Sequence, residues 1–161
     1  MQYSNEVLDG IDIVNDALQE LGKPTVFENP DIIIDEFFNF EDYLRLHFDK
    51  KNKENVGFCL DISDGIEVWL DRIPEAVYWS REDIEKDEMT VKDFIIMLLT
   101  STAKADCYGS DDGSNYTKMY FYNDEGACMQ TISMTTGITG ALFRLLHINQ
   151  KTIVYKPFYI K

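Results

Sequence analysis

The stretch from Val56 to Arg72, VGFCLDISDGIEVWLDR, constrains this chain more than any other. Its first arm sets Val56, Phe58, Leu60 and Ile62 at every second position, and its second arm does the same with Ile66, Val68 and Leu70. Strand side chains alternate between faces, so this period of two buries one face of each arm. Ser63, Asp64 and Gly65 lie between the arms, where a glycine can supply the positive φ that a tight reversal needs. The stretch therefore reads as a hairpin with one apolar face. The other face carries Glu67, Trp69 and Asp71, an aromatic between two carboxylates, which is either half of a second core face or an exposed contact patch. A calcium loop does not fit here: the glycine falls one place early for an EF-hand, and the twelfth position from Asp61 is the cation Arg72.

Helical spacing flanks the hairpin. Ser4 caps a helix whose stripe is Val7, Ile11, Val14, Leu18 and Leu21, and Gly22 to Pro24 end it. Gly10 within it costs up to ~1 kcal/mol relative to alanine. From Asn29 to Lys53 the pattern is mixed. Pro30 can open a helix through Phe38, or Ile32 to Ile34 can be a short strand; Asn39 then starts a helix with Phe40, Tyr43, Leu44, His47 and Phe48 on one face, His47 being a packed core residue. Ser80 and Asp83 resemble a capping pair for a short, solvated helix to Glu88. Thr90 and Asp93 open a helix in which Val91, Phe94, Ile95, Leu98 and Leu99 follow i, i+3, i+4, i+7, i+8. Asp106 to Asn115, rich in glycine and aspartate, reads as a flexible loop. Lys118 to Tyr122 and Ala127 to Met134 form a second hairpin, Ile138, Ala141, Leu142, Leu145 and Leu146 a core-facing helix, and Thr152 to Ile160 a strand that Pro157 confines to an edge or ends. The expected fold is α+β, a single domain over residues 1–161, with an antiparallel sheet of about five strands and helices packed on it.

The net charge is −14, and it is unevenly placed: residues 1–90 hold 23 acids against 8 bases, residues 91–161 hold 6 against 7. An acidic field repels phosphate and anionic lipid and draws basic partners, so nucleic acid and membrane are not expected as partners. The start of the chain lacks the basic residues of a secretory signal, and the apolar run Phe94 to Leu99 is too short to cross a bilayer, so a cytoplasmic protein is expected. Cys59, Cys107 and Cys128 form neither a disulfide framework nor a zinc site, and Cys59 and Cys128 read as small buried hydrophobes. There is no GxSxG elbow, no Walker sequence and no GxGxxG after a strand, so no catalytic residue, cofactor or metal is assigned and the chain reads as a non-enzyme.

The function class that this leaves is recognition of a basic protein. The candidate surface is Asp61, Asp64, Glu67, Trp69 and Asp71, extended by the acidic run Glu82, Asp83, Glu85, Asp87 and Glu88. Charge speeds encounter, and a few aromatics supply lasting affinity. In size, acidity and lack of a catalytic signature the chain resembles the acidic immunity proteins of bacterial toxin systems, including contact-dependent growth inhibition. That resemblance implies inhibition of a cognate basic toxin domain such as a nuclease. Two other classes are open: a small enzyme or ligand-binding protein using the Asp106 to Asn115 loop as lid or metal loop, with Cys107, His47 or His147 as reactive groups, and an acidic adaptor domain.

Overall fold

Alternation prevails over helical spacing between Ile32 and Phe48. The computed structural model describes residues 2–48, 54–71, 73, 76–80, 90–110, 113–135 and 137–160. After helix α1 (Asn5–Glu20) come strands β1 (Ile32–Phe40), β2 (Tyr43–Phe48), β3 (Phe58–Ile62), β4 (Gly65–Leu70) and β5 (Val77–Ser80). Helix α2 (Val91–Thr100), strands β6 (Thr102–Ser110), β7 (Gly113–Tyr122) and β8 (Cys128–Thr135), helix α3 (Gly137–Leu145) and strand β9 (Lys151–Tyr155) complete the order. The strands make two antiparallel sheets, a five-stranded meander β1-β2-β3-β4-β5 and a four-stranded sheet β8-β7-β6-β9. The fold is α+β, and the two hairpins expected in one sheet are divided between two.

Three local expectations are corrected. The helix expected from Asn39 is the β1–β2 hairpin: Leu44, Leu46 and Phe48 are buried and pair with Ile62, Leu60 and Phe58, so cross-strand burial decides between two patterns that the same residues satisfy. Of the expected loop at Asp106 to Asn115, residues 106–110 belong to β6 and residues 113–115 to β7, while Asp111 and Asp112 lie outside the described residues. Asp106 is buried there and accepts the Thr152 hydroxyl at 2.7 Å, while Gly109, at φ +125°, lies where a side chain would collide with Asn115. The stripe of α3 is not core-facing, since Leu142, Leu145 and Leu146 are exposed and Arg144 instead lies over the Tyr116 ring at 4.8 Å.

The core has a simple layout. Leu44, Leu46, Phe48, Phe58, Leu60, Ile62, Ile66, Val68 and Leu70 line the inner face of the five-stranded sheet, and α1 and α2 add Val7, Ile11, Val14, Phe94 and Leu98. Ser4 caps α1 as expected, its hydroxyl accepting the Val7 N–H. Gly10 is there because α1 runs so close to β3 that an alanine methyl would meet Ile62 Cγ2. Gly65 has a similar task in place of the positive φ expected of it, since a Cβ would lie 2.6 Å from the Trp79 carbonyl oxygen of β5. The cluster extends to Ala103, Ala105, Met119 and Phe121 of the second sheet. At the seam, Asn55 donates its amide to the carbonyls of Lys156 (3.0 Å) and Pro157 (2.6 Å).

Candidate functional site

The outer face of the five-stranded sheet is open to solvent and is built from the strand positions that the core does not use. Register places Ile33, His47, Cys59 and Trp69 in one row across β1 to β4, and Arg45, Asp61, Glu67 and Tyr78 in the next across β2 to β5. Asp61 is 3% exposed. Its carboxylate accepts Arg45 Nε at 2.5 Å, Arg45 Nη2 at 2.6 Å and the Trp69 indole N–H at 3.0 Å. A bidentate guanidinium and an indole donor compensate a charge that is otherwise costly to bury. Arg45 also donates to the Tyr43 hydroxyl at 3.2 Å and sits 4.3 Å from the Phe38 ring centroid. One chain of contacts thus runs from Phe38 on β1 to Trp69 on β4 and holds the indole in place.

Titration follows the same network. Hydrogen bonding to Asp61 raises the Arg45 pKa further, and burial, then Asp61, pushes the Tyr43 phenol up to about 12. Burial, reinforced by Asp61, also raises the Cys59 thiol. His47 Nε2 lies 3.1 Å from Asp35, whose pKa this bond lowers first and the Phe37 N–H second. His47 is therefore an open-face residue and not a core one. It stands beside Cys59 across the strands, but a thiol that burial holds neutral is a poor nucleophile.

The residues expected at the site separate into three groups. Asp61 is buried and its charge is committed to Arg45 and Trp69. Asp64 is exposed in the β3–β4 turn, accepting the Ser63 hydroxyl at 3.1 Å; Glu67 and Trp69 are half-buried on the open face, and Asp71 is exposed just beyond it. The carboxylates of Glu67 and Asp71 have no hydrogen-bond or ion-pair partner among the described residues. Glu82, Asp83, Glu85, Asp87 and Glu88 lie outside the described residues. Of the groups considered for an enzyme, Cys107 is buried, Cys128 is exposed rather than buried, and His147 bonds Gln150 at 3.0 Å.

Sequence reasoning missed the aromatic rim. Phe37 is 85% exposed, and Phe38, Phe40 and Tyr78 are also exposed. The signal was the run Phe37, Phe38, Asn39, Phe40 between acids, which the helical reading divided between a helix and its start. The β1–β2 register slips between Ile34 and Asn39, and Asp35 bonds the Phe37 N–H, so the backbone bulges where Phe37 is displayed.

At one end of this face, beside Asn55, Gly57, Trp69 and Asp71, a cleft of about 620 Å³ opens toward Ile153 and Tyr155 of β9. No helix among the described residues is long and apolar enough to cross a membrane. Comparison with protein-family models, curated proteins and solved structures gives no match.

Proposed function

We propose that this protein is a non-enzymatic, immunity-type inhibitor that neutralises a basic cognate toxin domain by docking it on the outer face of the five-stranded sheet. The observation that carries the reading is the pair of carboxylates without a partner among the described residues, Glu67 and Asp71, on either side of an indole that Asp61 holds in place. Carboxylates without internal partners remain available to a basic surface, and a pre-set aromatic loses little freedom on binding. Phe37, Phe38, Phe40 and Tyr78 extend the same face with the residue types enriched at protein interfaces. The acidic first half of the chain supplies the steering field.

The test is capture of the partner from the cells that make this protein, followed by co-expression. Wild-type protein should retain a basic polypeptide at low salt, release it as salt rises, and restore growth to cells expressing that polypeptide. The double reversal Glu67→Lys/Asp71→Lys should lose both effects. Rescue that survives the double reversal would refute the docking face.

A further inference from the structure

The cleft at the end of the open face has a chemistry of its own. We propose that it is a receptor for an arginine side chain, which the basic partner inserts beside Trp69; the inference rests on the docking face above and names what the partner must present there. Phe58, Leu70 and Ile153 give the cleft apolar wall, on which an aliphatic stem can lie. Trp69 adds an aromatic wall whose N–H is already committed to Asp61, so the ring is positioned before any ligand arrives. A planar cation gains from such a ring.

The polar groups of the cleft favour a donor. Asp71 brings a carboxylate without a partner among the described residues. Asn55 is 9% exposed, and both its amide hydrogens are given to backbone carbonyls of Lys156 and Pro157, which fixes the other end of the side chain as an acceptor. That oxygen, Oδ1, is buried and has no hydrogen-bond partner among the described residues. An unmet buried acceptor is a standing cost, and an N–H that reached it as the cleft adjusts to its guest would relieve it. The His47 nitrogen whose bond is defined faces Asp35. Among the described residues that line the cleft, Asp71 is the one formally charged side chain, which disfavours an anion. Arginine suits the set better than lysine because its guanidinium presents five donors in a flat fork, whereas an ammonium is compact and strongly hydrated. The volume, about 620 Å³, leaves room for the residue with its backbone neighbours.

The probe is the peptide acetyl-Gly-Arg-Gly-amide, with lysine and alanine counterparts, titrated into the full chain and followed by amide and indole NMR. The arginine peptide should move the Trp69 indole N–H and the Gly57, Cys59 and Ile153 amides saturably. The lysine peptide should bind several-fold more weakly, and the alanine peptide at least tenfold more weakly. Asp71→Asn, a change at an exposed residue, should weaken the arginine peptide by about three- to fivefold. Gly57→Leu adds bulk at a position where a Cβ meets nothing closer than 3.9 Å, and it should abolish the effect. If that variant does not fold, Asp71→Asn still decides. Shifts scattered over acidic residues away from the cleft, or equal response to the alanine peptide, would overturn the proposal. A toxin that binds the open face but leaves the cleft resonances unmoved would overturn the receptor alone. Arginine binding without a Glu67-dependent partner would overturn the docking face alone.

Discussion

Replacing Arg45 with methionine should destabilise this protein by about 3 kcal/mol. Asp61 is 3% exposed and accepts three hydrogen bonds, two of which come from Arg45. The variant leaves a buried carboxylate that has lost its counter-charge and keeps, among the described residues, the Trp69 N–H and the neighbouring Tyr43 hydroxyl. Removing one partner of a buried ion pair costs about 3–5 kcal/mol, and the lower end applies because the Arg45 side chain is 23% exposed and water reaches part of the pair. For a chain of this length the loss corresponds to a fall in Tm of roughly 6–12 °C. Urea unfolding of Arg45→Met, Asp61→Leu and the double variant measures it. The double variant should recover much of the loss, since no charge is then stranded, giving a coupling energy of about 2 kcal/mol. An Arg45→Met variant within 1 kcal/mol of wild type, or strictly additive losses, would refute the idea that this pair organises the open face.

Other outcomes follow from single observations. Gly10→Ala should destabilise by about 1–2 kcal/mol in thermal unfolding despite alanine's better helix propensity, because the methyl meets Ile62 and overpacking outweighs the propensity gain. Thiol labelling near pH 8 should modify exposed Cys128 first, Cys59 more slowly because burial and Asp61 raise its pKa, and buried Cys107 last; a fast Cys59 would contradict its assigned environment. In an alkaline absorbance titration Tyr43 and Tyr159 should ionise near 12, both raised chiefly by burial. Their neutral forms favour the folded state, so their contribution is full below pH 10 and is lost between 10 and about 12; unfolding midpoints measured across that range should fall with pH.

The hairpin at the centre of the chain was legible because two independent signals agreed, strict alternation and a short Ser63 to Gly65 reversal. Helices α1 and α2 were legible for the same reason, each pairing a cap with an unbroken stripe. The β1–β2 hairpin was not, because Phe40, Tyr43, Leu44, His47 and Phe48 meet helical spacing while Leu44, Leu46 and Phe48 meet strand spacing. Only the partner strand β3 resolves that tie. The stripe of α3 satisfied every local rule for burial, yet whether a sheet covers it is a tertiary fact.

At the site, the alternation of β4 places Glu67 and Trp69 on one side, and Asp71 follows just past the strand's end. What it could not supply was the cross-strand partner. Arg45 reaches Asp61 from 16 residues away, and that contact removes Asp61 from the binding surface while fixing Trp69. The Trp69 alternative, core or contact, thus has a physical resolution: the indole is half-buried, anchored on one edge and open beyond it. The His47–Cys59 proximity is likewise a matter of register.

The most direct test of the docking face is site-specific photo-crosslinking in extract of the native cells. A benzophenone side chain replaces exposed Tyr78, which pairs with Glu67 on the open face, or, as a control, exposed Thr131 on the second sheet. Position 78 should yield an adduct with a basic polypeptide that disappears as ionic strength shortens the screening length, and position 131 should yield none. Equal adducts from both positions, or an adduct at 78 that salt does not diminish, would contradict a charge-steered docking face on the five-stranded sheet.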